Sequence, residues 1–143
     1  MSPGKLDPAV VRRHLLALDA ALARLRRHVG RPLAELAADP DATWAVERGL
    51  QLCAQNVLDL ATHIAASSGR DVPDYAAALD ALASLGVLPP EFVSRFRAVA
   101  GFRNVLVHGY LEVDPARVHA VLNERLDDFA EFARRVDELL ARR

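Results

Sequence analysis

Apolar residues return along most of this chain at alternating intervals of three and four, the spacing of one helix face. Leu15, Leu18, Leu22, Leu25 and Val29 form the first stripe. Asp7 then Pro8 is a helix start: a side-chain acceptor, followed by a residue whose missing N–H costs nothing there. Gly30 and Pro32 close that helix, so it is predicted to run from Pro8 to about His28. Arg31 to Pro40 reads as a short lead-in. Asp39 or Asp41 caps a second long helix that reaches about Ser67. Its apolar residues (Trp44, Val46, Leu50, Leu52, Val57, Leu58, Leu60, Ile64) spread around much of the cylinder, as in a central helix. Asp71 or Asp74 starts a short alanine-rich helix through about Leu85, which Gly86 ends. Pro89, Pro90 and Glu91 open the next. It runs through Phe96 and Phe102 to Val107 or His108, with Gly109 as the stop. Asp114 and Pro115 begin the last, with Val118, Leu122, Leu126, Phe129, Ala133, Val136 and Leu140 on one face.

No segment reads as a strand; Val105 to Val107 is β-prone but short. The expectation is an all-α chain, an up-and-down bundle of four long helices plus one short one, forming a single domain over residues 1–143. With 52% hydrophobic and 26% charged residues the chain is globular rather than disordered. A formal charge of -1 leaves no global footprint of nucleic-acid binding. RNA contact would have to come from a local cluster, such as Arg95, Arg97 and Arg103. Lys5 is the only lysine. Arginine forks hold phosphate well, yet a coding bias gives the same skew and carries the larger share. Cys53 is the only cysteine, which excludes an internal disulfide and a cysteine-based zinc site and reads as a core thiol. No apolar run approaches the ~18 residues that cross a bilayer. Met1 to Asp7 lacks the order of a signal peptide. A reduced, cytoplasmic location is expected, with no membrane association.

The second helix also carries a polar stripe: Arg48, Gln51, Gln55, Asp59 and His63, three or four apart. It is either a solvent-facing edge or the wall of a wet cleft, in which case Asp59 or Arg48 would support a site. His14, His28, His63 and His119 have no partners at metal-ligand spacing and read as surface or structural residues. No metal and no cofactor is expected.

Chemistry concentrates between Phe102 and Tyr110, where Arg103, Asn104, His108 and Tyr110 surround three aliphatic residues. Histidine exchanges protons near neutral pH. Arginine clamps a phosphate or steadies charge developing on it, and asparagine can orient either. The set suits general acid–base cleavage of an RNA phosphodiester by the neighbouring 2′-hydroxyl, which needs no metal. At about 100° per residue, Asn104 and His108 share a helix face, whereas Arg103 and His108 stand roughly 140° apart. A helix that loosens at Gly109, or a second copy of the segment across a dimer interface, would bring them together. Each residue also has a plainer role. His108 suits a helix C-terminus by the macrodipole, Arg103 a surface, Asn104 no role at all, and Tyr110 a core or interface with its hydroxyl exposed.

Arginine, a polar residue, three more residues, histidine, one residue, tyrosine: this order at Arg103, Asn104, His108 and Tyr110 resembles the signature of the HEPN superfamily. More narrowly it is similar to the HepT-like toxins that pair with MNT-type nucleotidyltransferase antitoxins. The likeness extends from Tyr75 through Leu85, Gly86, Pro90 and Phe96 into the motif, and to the long second and last helices. The resemblance implies a helical homodimer and a metal-independent endoribonuclease with Arg103 and His108 as catalytic pair and Asn104 in support. It also implies that the antitoxin silences the toxin by nucleotidylation (AMPylation) of Tyr110. Some members of the superfamily bind nucleotides or proteins without cleaving, so a non-catalytic helical binding module is the alternative.

Overall fold

The computed structural model describes residues 5–109 and 113–142. Eight helical segments follow one another there: α1 (Pro8–Arg26), α2 (Leu33–Ala37), α3 (Pro40–Ser67), α4 (Tyr75–Ser84), α5 (Pro90–Phe96), α6 (Ala98–His108), α7 (Pro115–Glu124) and α8 (Leu126–Ala141). No strand occurs among the described residues, and none of the helices is long and apolar enough to cross a membrane.

Side-chain caps set the helix starts, and they are the expected aspartates. Asp7 accepts from Ala9 N (3.0 Å), Asp39 from Ala42 N (3.1 Å), Asp74 from Ala77 N (2.8 Å) and Asp114 from Ala116 N (3.0 Å). Each satisfies an amide that the first turn leaves without a partner. The Ala42 amide, helped by the Arg31 guanidinium, holds the Asp39 carboxyl below its ordinary range.

α3 is the hub. It packs against α1, α2, α4, α6, α7 and α8, and Val46, Leu50, Val57, Leu58, Leu60 and Ile64 are almost wholly buried along it. α1 comes so close at Gly49 that a Cβ there would sit 2.6 Å from Leu25 Cδ2. Cys53 is buried in the same hub, and desolvation pushes its thiol up to about 12.

Four expectations need correction. The lead-in to the second helix holds a helix of its own, α2, which buries only Leu36; one buried residue sets up no period to read. Trp44 is 76% exposed; two residues from Val46, it points about 160° away from that inward side chain. Val29 lies beyond the end of α1 and is 44% exposed. Finally, the fourth and last expected helices are each interrupted, at Arg97 and at Arg125. Neither interruption contains proline or glycine. Phe96, Val99 and Phe102 remain buried across the first, and Leu122, Leu126 and Phe129 across the second. The hydrophobic period therefore runs through both and gives no warning of either.

Three other histidines tie parts of the bundle together. His14 Nδ1 bonds Asn56 Oδ1 (2.8 Å), His119 Nε2 bonds the Arg31 carbonyl (2.8 Å), and His63 Nε2 accepts from Asp7 N (3.3 Å).

Candidate active site

α6 carries Arg103, Asn104 and His108. Its buried face, with Val99 and Phe102, docks on the bundle. Arg103, one position on from Phe102, is turned about 100° from it and reaches the flank where α3 and α4 meet. There Arg103 Nε donates to Gln55 Oε1 at 2.8 Å. Its Nη1 donates to Asn104 Oδ1 at 3.1 Å. Its Cζ lies 5.5 Å from the centroid of the Tyr75 ring, within cation–π range.

Gln55 is itself held. Its Nε2 donates to Asp59 Oδ1 (2.8 Å) and to the Tyr75 hydroxyl (3.2 Å), and that hydroxyl donates to Asp59 at 3.4 Å. Only one orientation of the amide satisfies these neighbours: NH2 toward carboxylate and phenol, oxygen toward the guanidinium. Asp59 thus fixes Gln55, and Gln55 fixes Arg103. Among the described residues Arg103 makes no ion pair, and its Nη2 edge makes no hydrogen bond. The result is an oriented, partly buried cation with one free edge, the geometry that suits an incoming phosphate oxygen.

His108 differs in every respect. It is the last residue of α6, its side chain is exposed, and no hydrogen bond from a described residue reaches it. α6 is continuous from Ala98 to His108 and ends only at Gly109 (φ -88°, ψ 51°). The loosening anticipated at Gly109 therefore follows His108 and does not turn it toward Arg103. The bond to Asn104 does part of that work, drawing the guanidinium tip toward the face that Asn104 shares with His108. Gly109 is required by crowding: a Cβ there would lie 2.5 Å from the Val105 carbonyl oxygen and 3.1 Å from Val113 Cγ2. Tyr110 lies outside the described residues.

The polar stripe of α3 divides between the two readings given to it. Gln55 and Asp59 face Arg103, whereas Arg48 lies in a shallow hollow between α1 and α3, beside Arg24 and His28. The structure does not bring Arg48 to Arg103. Tyr75 was missed in the sequence; its place directly after the Asp74 cap, in the short helix beside the stripe, was the available signal. Gln55 was visible only as one member of that stripe. Arg97 proves to be a surface clamp on α4 through a two-point contact with Asp80 (2.8 and 3.1 Å), and Arg95 is paired with Asp128 (3.3 Å) and Glu131 (3.4 Å).

The exposed side of α6 is made of small and polar positions: Ala98, Gly101, Asn104 and His108, with half-buried Val105 among them. A side chain at Gly101 would meet open space.

Residues 18–136 match the family model described as Ribonuclease HepT-like. A tRNA nuclease HepT of Aphanizomenon flos-aquae (strain 2012/KM1/D3) is 25% identical over 137 residues, spanning 94% of this chain and 92% of its own. The tri-AMPylated Shewanella oneidensis HEPN toxin, solved in complex with an MNT antitoxin, superposes with a TM-score of 0.79 at 21% identity, over 90% of this chain and 97% of the toxin. The cytosolic protein of unknown function YutE from Bacillus subtilis superposes with a TM-score of 0.82 at 18% identity, over 94% and 91% of the two chains.

Proposed function

From the premise that the chain belongs to the HepT-like ribonuclease family, we propose that it is a metal-independent endoribonuclease toxin whose substrate is transfer RNA. The observation that carries this reading is the Arg103 guanidinium, held by Gln55 and Tyr75 with one edge bonded to no described residue, on the helix that ends at exposed His108. In the reaction the 2′-oxygen attacks phosphorus, the bond to the 5′-oxygen breaks, and a 2′,3′-cyclic phosphate and a 5′-hydroxyl result. One proton leaves the 2′-hydroxyl and one joins the 5′-oxygen. Arg103 stabilises the charge on the phosphate oxygens, worth about two orders of magnitude in rate for such a donor. Asn104 holds the guanidinium on the side of His108.

Two proton transfers call for two groups, and this segment supplies one histidine per chain. A homodimer packed through the exposed face of α6 places two copies of His108 near one phosphate, one as base and one as acid. Gly101 on that face, where a side chain would meet open space, allows close helix approach.

The partner in this reading is an MNT-type nucleotidyltransferase that transfers AMP to Tyr110. The phenol is a competent acceptor. The phosphate it gains adds negative charge two residues from His108, where it competes with RNA for Arg103.

The test is incubation of purified protein with labelled tRNA in excess EDTA. Fragments ending in cyclic phosphate, formed by wild type and not by His108→Ala, support the reading. Intact tRNA with wild-type protein, or cleavage that EDTA abolishes, overturns it. Tyr110→Phe should keep the nuclease and escape silencing by the co-expressed antitoxin.

A further inference from the structure

Residues that flank the interruptions at Arg97 and Arg125 line a notch of about 190 Å3. Phe96, Phe102 and Phe129 line its floor; Arg95, Arg117 and Arg125 stand around it. It is separate from the Arg103 network: none of Gln55, Asp59, Tyr75 and Arg103 lines it, and Phe102 and Arg103 leave α6 about 100° apart.

Charge and shape both narrow what fits. Three arginines face a single aspartate, Asp128, within the lining. That carboxylate is shared by Arg95 (3.3 Å) and Arg125 (3.7 Å), with Glu131 also taking Arg95. Arg117 makes no ion pair with any described residue; its Cζ lies 5.3 Å from the centroid of the Phe102 ring. It is a guanidinium laid on an aromatic face, as Arg103 is on Tyr75, but here no donor bonds to a described residue. The chain as a whole is close to neutral, so this local excess of positive charge is a property of the notch. Sites that enclose a whole small ligand run to about 300–1,000 Å3; this one is smaller and takes one flat ring system.

We propose that the notch binds an unpaired nucleotide of the RNA substrate, with the base against the phenylalanine floor and the adjoining phosphate on Arg117. The proposal rests on the ribonuclease reading. Arginine and aromatic side chains are the pair that holds single strands, the one by charge and the other by stacking. Ala98 at the notch and His108 are ten residues apart, roughly 15 Å along one helix, so a strand seated in the notch passes the catalytic end within a few nucleotides.

The test uses the full chain carrying His108→Ala, so that RNA binds without being cut. Fluorescence anisotropy follows a labelled single-stranded oligoribonucleotide and an abasic strand of the same length. Arg117→Gln should weaken the oligoribonucleotide about tenfold, the loss of one charge-assisted hydrogen bond, and reduce the slope of log K against log salt by about one. Val121→Phe, which fills the notch from its α7 wall without changing charge, should weaken the oligoribonucleotide and spare the abasic strand. Arg134→Gln, a charge loss on α8 away from the notch, should change neither. Circular dichroism confirms the fold of each variant. Unchanged binding after Arg117→Gln, or a Val121→Phe protein that holds both strands as its parent does, overturns the proposal and leaves the notch to a protein partner. The ribonuclease reading survives that result, because it is tested separately, by cleavage of tRNA in excess EDTA.

Discussion

Arg103 and His108 sit five residues apart on one helix, yet the chain treats them in opposite ways. Arg103 is partly buried, bonded through Nε and Nη1, stacked on Tyr75, and backed by Asp59 through Gln55. His108 is exposed at the helix end and bonded to no described residue. The fold builds one half of the chemistry, the phosphate clamp, and leaves the other to be completed on binding. A phosphate clamp gains from being oriented before the substrate arrives, because no reorganisation is then needed during reaction. A proton-transfer group only has to reach the reacting oxygen once substrate, or a second subunit, is in place.

The sharpest way to break that comparison is to keep the charge at position 103 and remove the fork. Arg103→Lys cannot reproduce the Nε bond to Gln55 together with a free edge, and should lower the cleavage rate about a hundredfold. A circular-dichroism melt should be nearly unchanged. If Lys suffices, orientation of the clamp is irrelevant and the contrast with His108 has no functional content. Gln55→Leu leaves Arg103 in place and removes its brace. Rates should fall about tenfold, chiefly in kcat, since misplacing a catalytic group by part of an ångström is costly. Asp59→Asn acts one step further out and should lose less than Gln55→Leu. An equal or larger loss would mean that Asp59 touches the substrate itself.

How much of this was legible follows the same division. The capping aspartates, the long central helix and the convergence problem at Arg103 and His108 all follow from local chemistry or from 100° geometry. The brace does not. Gln55, Asp59 and Tyr75 meet Arg103 only through packing of α3, α4 and α6, and periodicity says which residues share a face, not what that face meets. The same limit hid the notch: the hydrophobic stripes run unbroken through Arg97 and Arg125, so nothing local marks the interruptions. Trp44 shows the converse error, a large apolar residue assigned to the core by type although its helical position points outward.

Smaller effects sharpen the comparison from the side of stability. Gly49→Ala drives a methyl into Leu25 at the α1–α3 contact and should cost about 1–3 kcal/mol of unfolding free energy. Gly49 meets Leu25 of α1, not α4 or α6, so activity per folded molecule should stay at the wild-type level. Gly109→Ala meets the Val105 carbonyl oxygen at 2.5 Å. It should shift the end of α6 and reduce cleavage at little cost in melting temperature, the reverse pattern. The least effect is expected at Cys53, whose burial pushes its thiol up to about 12. A thiol reagent at pH 8 should label it only after denaturant is added, and rapid labelling of native protein would show that the α3 hub opens.

In the proposed reaction Arg103 and His108 work as one unit on one RNA phosphate. Single-turnover cleavage of labelled tRNA by wild type, Arg103→Ala, His108→Ala and the double variant tests it most directly. Both single variants should be slow and the double variant about as slow as the worse of them, because residues that act as a unit lose their effect together. A His108→Ala protein that cleaves at the wild-type rate, or single losses that multiply in the double variant, would contradict it.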